Sequence, residues 1–296
     1  LQNYAACPYR FALHAIHRLQ PREEPSGIEQ LDPLTRGELF HRVQFVLLGE
    51  LRSQKLLPLS PQTIAAALGV ADEVLDRTAS QFAEQLAPAI ERVWKNDIED
   101  LRTDLRAWMQ DVVIHSTGWM PAHFELSFGL DINDARDSAS TATEAVLDGG
   151  YRVRGSIDLI ERNAQSGAIR VTDHKTGQVP SPLPRYVGGG AVLQPVLYAA
   201  AAEKLLDARV TSGRLYHCTR KGKFQDITIP FDQTARLRLE QILETVDDAV
   251  THGFLPAAPG RDQCSRCDYR IVCGPYEEIR VNKKPKEPLS ALAALR

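Results

Sequence analysis

Asp158, Asp173 and Lys175 are the residues of this 296-residue chain whose types and spacing could do chemistry together. Asp173-His174-Lys175 reads as part of a strand over 169–175 (IRVTDHK), so Asp173 and Lys175 project to one face and His174 to the other. A second strand reads over 151–160 (YRVRGSIDLI), with a turn at 161–168 containing Asn163 and Gly167 between them. Pairing across that turn sets Asp158 opposite residues 171–173. Two carboxylates that close repel, and each resists ionisation unless a cation sits between them. A Mg²⁺ or Mn²⁺ ion meets that need and favours oxygen ligands. Lys175 beside such an ion can orient or help deprotonate an attacking water, which is the equipment for hydrolysing a phosphodiester.

Two further constellations add to this one. Gly37-Glu-Leu-Phe-His41 lies on a predicted helix, where His41 can ligate a metal or contact a phosphate. Gln194-Pro-Val-Leu-Tyr198 opens another; Gln194 and Tyr198 share its face at i and i+4 and can contact a nucleic-acid backbone or brace the lysine. Pro195 is tolerated because it falls in the first turn. Cys264-x2-Cys267-x5-Cys273 forms a compact group, and Cys7 stands at the other end of the chain. Four thiolates can bind Zn²⁺ or an iron–sulfur cluster. The distant first thiol and the gap of five lean toward [4Fe–4S], although spacing alone leaves zinc open. Cys218 lies outside the group and reads as a small buried residue.

The elements that must position these residues read as mixed α/β. A turn and then an aromatic-rich helix within 4–19 are followed by a linker at 20–34 rich in Glu and Pro, and helical periodicity resumes from Gly37 to about Leu51. Ser60-Pro61 gives a helix start. Apolar residues from Ile90 to Val112 then recur at steps of three and four, the stripe of a packed helix. Strand alternation begins at Phe124 to Asp131, and a polar loop covers 134–143. After the two strands at 151–175 come a Pro/Gly-rich loop (177–190) and a helix at about 192–206. Two short strands around Lys221-Gly222 and a helix from Arg236 to about His252 complete the pattern. The domain reading is one domain over 1–280, with a helical insertion at about 56–118 and a polar tail at 281–296.

The net charge of −3 excludes a protein coated in positive charge but leaves room for a local basic groove. No apolar run reaches the ~20 residues needed to cross a bilayer, and no signal peptide opens the chain. With few cysteines for its length, the expected setting is the cytoplasm. Leu1 is not a start methionine, which points to a piece of a longer polypeptide or a missing true start. No G-x-x-x-x-G-K-[ST] phosphate loop occurs, so any ATP hydrolysis belongs to another domain or partner.

In their order and wording, GELFH (37–41), GSIDLI (155–160), DHKTG (173–177) and QPVLY (194–198) resemble the PD-(D/E)xK nuclease superfamily. More narrowly they are similar to RecB-type nuclease domains of bacterial recombination and repair machines. The resemblance implies a restriction-endonuclease-like fold, a central mixed sheet flanked by helices with a helical insertion. It implies that His41, Asp158 and Asp173 are metal ligands, with the His174 carbonyl as a further one, and that Lys175 is the catalytic lysine. Glu125, in ELSF at 125–128, is similar to an acidic ligand position of some members. One cysteine before these motifs and three after them resemble the iron-staple domains of AddB-type proteins, which implies a structural [4Fe–4S] cluster on Cys7, Cys264, Cys267 and Cys273. The implied activity is a DNA exonuclease acting on a single strand threaded by a helicase subunit or domain. The alternatives are a catalytically silent DNA-binding module and a zinc-stapled interaction domain.

Overall fold

The computed structural model describes residues 1–20, 29–115, 118–131, 137–179 and 186–296. The linker expected at 20–34, the polar loop at 134–143 and the 177–190 loop lie partly outside the described residues. Helices α1 (Gln2–Ala6) and α2 (Pro8–Phe11) open the chain, and α3 (Pro33–Ser53), α4 (Ile64–Leu86) and α5 (Glu91–His115) precede the first strand. The strands are β1 (Trp119–Phe128), β2 (Ala145–Val146), β3 (Arg152–Val153), β4 (Gly155–Asn163), β5 (Ile169–Lys175), β6 (Val210–His217) and β7 (Asp226–Pro230). Helix α6 (Gln194–Leu206) joins β5 to β6; α7 (Gln233–Thr251), α8 (Arg270–Cys273), α9 (Glu277–Arg280) and α10 (Ser290–Leu295) follow the last strand. The residues form two compact units, one drawn from segments within 1–24, 184–197 and 231–296, the other from 25–183 and 198–230.

The larger unit holds a sheet of order β1-β4-β5-β6-β7, antiparallel except for the β5–β6 pair. This is the mixed sheet flanked by helices that was expected, the restriction-endonuclease-like α/β architecture. β5 is its central strand, and its residues are buried from Ile169 to His174. Such a strand must hide its polar side chains, and that is where the chemistry collects. Helix α3 begins at Pro33, earlier than the Gly37 read from periodicity, because Asp32 caps it: its Oδ1 accepts from the main-chain N–H of Leu34 (2.8 Å) and Thr35 (3.2 Å). Leu39, Phe40, Val43 and Leu47 of α3 pack with Val74 and Leu75 of α4 and with Leu101, Leu105 and Trp108 of α5 in one core, which also takes in Phe124, Leu159 and Tyr216 from the sheet. The chain at Ser60-Pro61 is a turn leading into α4; the Ser60 carbonyl accepts from Ile64 N–H at 2.9 Å.

The strand expected over 151–160 is divided. Arg152 and Val153 pair with β2, while β4 runs on through Asn163. It continues past Ile160 because the Glu161 side chain, buried on the sheet, is neutralised there. Arg170 Nε and Arg214 Nη2 lie 2.6 and 2.9 Å from Glu161 Oε2, and Thr172 Oγ1 donates to the same oxygen at 3.1 Å. The smaller unit is helical. Its N-terminal stretch, expected as a turn followed by a helix within 4–19, is α1, α2 and a π-turn at Ala12–Ile16. Its last residues form α10 with Leu292 buried, where only a polar tail was read.

Candidate active site

Three acidic residues occupy adjoining positions on three neighbouring strands. The β4–β5 register pairs Leu159 with Thr172, which carries Asp158 to the level of Asp173. The β1–β4 register pairs Phe124 with Leu159 and Leu126 with Ile157, which carries Glu125 to the level of Asp158. Glu125 holds a φ of +49°, a left-handed conformation rare outside glycine, and Ser156 Oγ donates to its Oε2 at 2.8 Å. Strain of this kind persists only where surrounding contacts impose it. The β4–β5 ladder stops at Leu159, and the Asp158 side chain takes over the next main-chain donor: His174 N–H donates to Asp158 Oδ2 at 2.7 Å.

Helix α3 brings in His41, whose Nδ1 lies 3.4 Å from Asp158 Oδ2 and which hydrogen-bonds the His174 main chain. Gly37, one turn earlier, explains the spacing of that motif. A Cβ there would meet Thr176 Oγ1 at 3.2 Å, so glycine lets α3 close on the end of β5. Gly155 has the same office toward Tyr198. A Cβ on Gly155 would meet the Tyr198 ring at 3.2 Å, and Tyr198 stands edge-on to Phe128 with centroids 6.5 Å apart. Gln194 opens α6 a turn before Tyr198, and the boundary between the two units falls between them, after Leu197.

Lys175 Nζ is 2.6 Å from Asp173 Oδ2; the carboxylate is buried and the lysine half-exposed. Burial, then the charges of Asp173 and Glu125, push the Asp158 carboxyl well above the usual carboxylate range. Burial also holds the His41 imidazole below its ordinary value, against the pull of Glu125 and Asp173. Among the described residues, the group of His, Cys, Asp and Glu ligand atoms lying within 4.8 Å of one another is His41, Glu125 and Asp158. A neutral imidazole and crowded carboxylates, one of which resists ionisation, make a donor set a divalent cation fits.

The His174 side chain was read as facing away from the site, and the structure gives it more to do. Its ring is buried between Trp108 (5.8 Å, edge-on) and Tyr216 (5.9 Å), and burial keeps it neutral. Tyr216 in turn hydrogen-bonds Asp111 of α5. The main chain that touches Asp158 and His41 is thus wedged from behind. Nothing in the one-dimensional pattern marks Trp108 or Tyr216 as its neighbours.

In the smaller unit Cys7, Cys264, Cys267 and Cys273 line one pocket with Tyr269 and Glu277. Burial, then Glu278 and the neighbouring thiols Cys267 and Cys7, push the Cys264 thiol up to about 11, and Cys273 is raised by burial, Cys7 and Cys267. Cys218 lies apart from them, fully buried, with its Sγ 3.6 Å from the Lys175 carbonyl.

A family model described as the PD-(D/E)XK nuclease superfamily matches residues 1–274. The chain belongs to the PD-(D/E)XK nuclease superfamily. The match runs from before Cys7 to just past Cys273 and takes in every motif named above. Members of this superfamily are nucleases that use divalent metals, and the His41–Glu125–Asp158 group suits one. No curated protein matches the chain. No helix among the described residues of this nuclease-family protein is long and apolar enough to cross a membrane.

Proposed function

We propose that this is the nuclease domain of a RecB-like DNA repair or recombination protein, a Mg²⁺- or Mn²⁺-dependent exonuclease acting on single-stranded DNA. The observation that carries the reading is the row of Glu125, Asp158 and Asp173 across three strands, with His41 above Asp158 and Lys175 on Asp173. His41, Asp158 and Glu125 would hold the ion, with Asp173 beside them. When bound, the ion supplies charge that stabilises the attacked phosphoryl group and the leaving oxygen. Asp173 orients Lys175, whose half-exposed ammonium can steer a water toward the phosphorus and take part in its proton transfer. His174 N–H fixes Asp158 Oδ2 in place, so the carboxylate does not swing away when it loses its proton. Tyr198, held against Gly155, and Gln194 a turn earlier would contact the DNA backbone or brace the lysine.

The four cysteines of the smaller unit would hold a [4Fe–4S] cluster that ties the two ends of the domain together. Four thiols lining one pocket, one from the start of the chain and three from near its end, support that reading. A helicase partner or domain would thread the strand.

The test is cleavage of end-labelled single- and double-stranded DNA by anaerobically purified protein with Mn²⁺. Progressive shortening of the single strand is expected. Binding of DNA without cutting would instead support the silent DNA-binding module, and zinc in place of iron on metal analysis would support a zinc staple.

A further inference from the structure

A row of three carboxylates repels the polyanion it would have to cut, so cations placed near the end of β5 have work that Lys175 alone does not cover. The hairpin between β6 and β7 supplies them. We propose that the Thr219–Phe224 turn is a phosphate-binding element that holds the nucleic-acid strand beside the cleaved bond through Lys221 and Lys223; this rests on the nuclease reading above.

The turn is fixed to the catalytic strand from one side. Cys218 N–H donates to the Lys175 carbonyl at 3.0 Å, Thr219 Oγ1 donates to the Thr176 carbonyl at 3.0 Å, and His217 Nδ1 lies 3.0 Å from the Gly177 carbonyl. From a second side Arg220 is occupied by Asp104 of α5, through its main-chain N–H (3.1 Å) and Nε (2.8 Å). From a third, Phe224 packs against the hydrophobic core. Lys223 and Phe224 both adopt left-handed backbone, with φ of +56° and +52°. Two such residues in succession persist where contacts on either side impose them, and such segments gather at ligand sites. Gly222 packs so closely that a Cβ would stand 2.6 Å from His217 Cβ and 3.0 Å from the Gly177 carbonyl. The backbone is rigid and strained, yet the two lysines it presents are exposed, and among the described residues neither has an ion-pair partner. Arg36 and Arg220, by contrast, are both spent on Asp104. What Lys221 and Lys223 fit is a pair of backbone phosphates, contacted without regard to base.

The experiment compares wild type with Lys221→Ala/Lys223→Ala for binding of fluorescein-labelled oligothymidylate in Ca²⁺ across a salt series, and for steady-state cleavage in Mn²⁺. Two lost phosphate contacts on a single strand flatten the plot of log affinity against log salt by about 1.4 and weaken binding about 20-fold at 0.1 M salt. KM rises accordingly while kcat holds. Lys221→Arg/Lys223→Arg keeps the wild-type slope, as does Lys283→Ala/Lys286→Ala, which removes the same charge from exposed positions in the other unit. A wild-type slope and KM in the Lys221→Ala/Lys223→Ala protein would overturn the inference and leave the nuclease reading standing. A wild type that neither binds nor cuts would overturn both.

Discussion

Asp158 is buried beside two other carboxylates, and its place in the fold carries a pH-dependent cost. Its folded pKa is raised, so the stability it contributes is fully present below its unfolded value of about 4 and is lost as pH rises through the folded value. A divalent cation bound under the proposed function would substitute for the missing proton. The rise in melting temperature on adding Mn²⁺ is therefore expected to grow as pH increases, and to vanish in Asp158→Ala. An Mn²⁺ effect of equal size at all pH values would show that the ion binds elsewhere. The His41 imidazole beside it is held neutral, because burial outweighs the acidic charges around it.

Elements explain why these residues meet. The turn between β4 and β5 is short, so Asp158 and Asp173 come opposite each other by chain symmetry, and that much is legible in the sequence. Glu125 was harder to read: its part depends on a register set by β1 and on a left-handed φ that no alternation pattern reveals. Harder still was Glu161, read as the start of the 161–168 turn when it lies inside β4, because its partners Arg170 and Arg214 stand on two other strands. Glu161→Ala would leave two buried guanidinium groups without a counter-charge and is expected to cost about 3–5 kcal/mol in denaturant unfolding. The arginines hold the Glu161 carboxyl below its usual range although burial opposes them. Its contribution is thus present above the unfolded value of about 4.3 and lost as pH falls through the lower folded one. Gly155→Ala tests the close approach of α6 to the sheet: the added methyl presses on the Tyr198 ring, and a loss of about 1–3 kcal/mol with a fall in cleavage is expected. Wild-type stability and rate in that variant would remove the packing reason for the motif's glycine.

At the scale of the whole molecule, the superfamily match spans 1–274 and so covers both cysteine segments. Grouping Cys7 with Cys264, Cys267 and Cys273 came from the resemblance, and the structure lines one pocket with all four. What the pattern could not give is the fold that brings them to one pocket, because it rests on side chains such as Tyr269, whose hydroxyl donates to the Leu19 carbonyl at 2.7 Å. Cys7→Ser is expected to lower iron and acid-labile sulfide together and to reduce the melting temperature by about 5–10 °C. Full iron content in that variant would exclude Cys7 as a ligand. The central claim concerns Lys175 and Asp173, and the most direct measurement is the cleavage rate of end-labelled single-stranded DNA in Mn²⁺ by wild type, Lys175→Ala and Asp173→Ala, each shown folded by circular dichroism. The account predicts cutting by wild type and none by either variant; full cutting by either variant would contradict it.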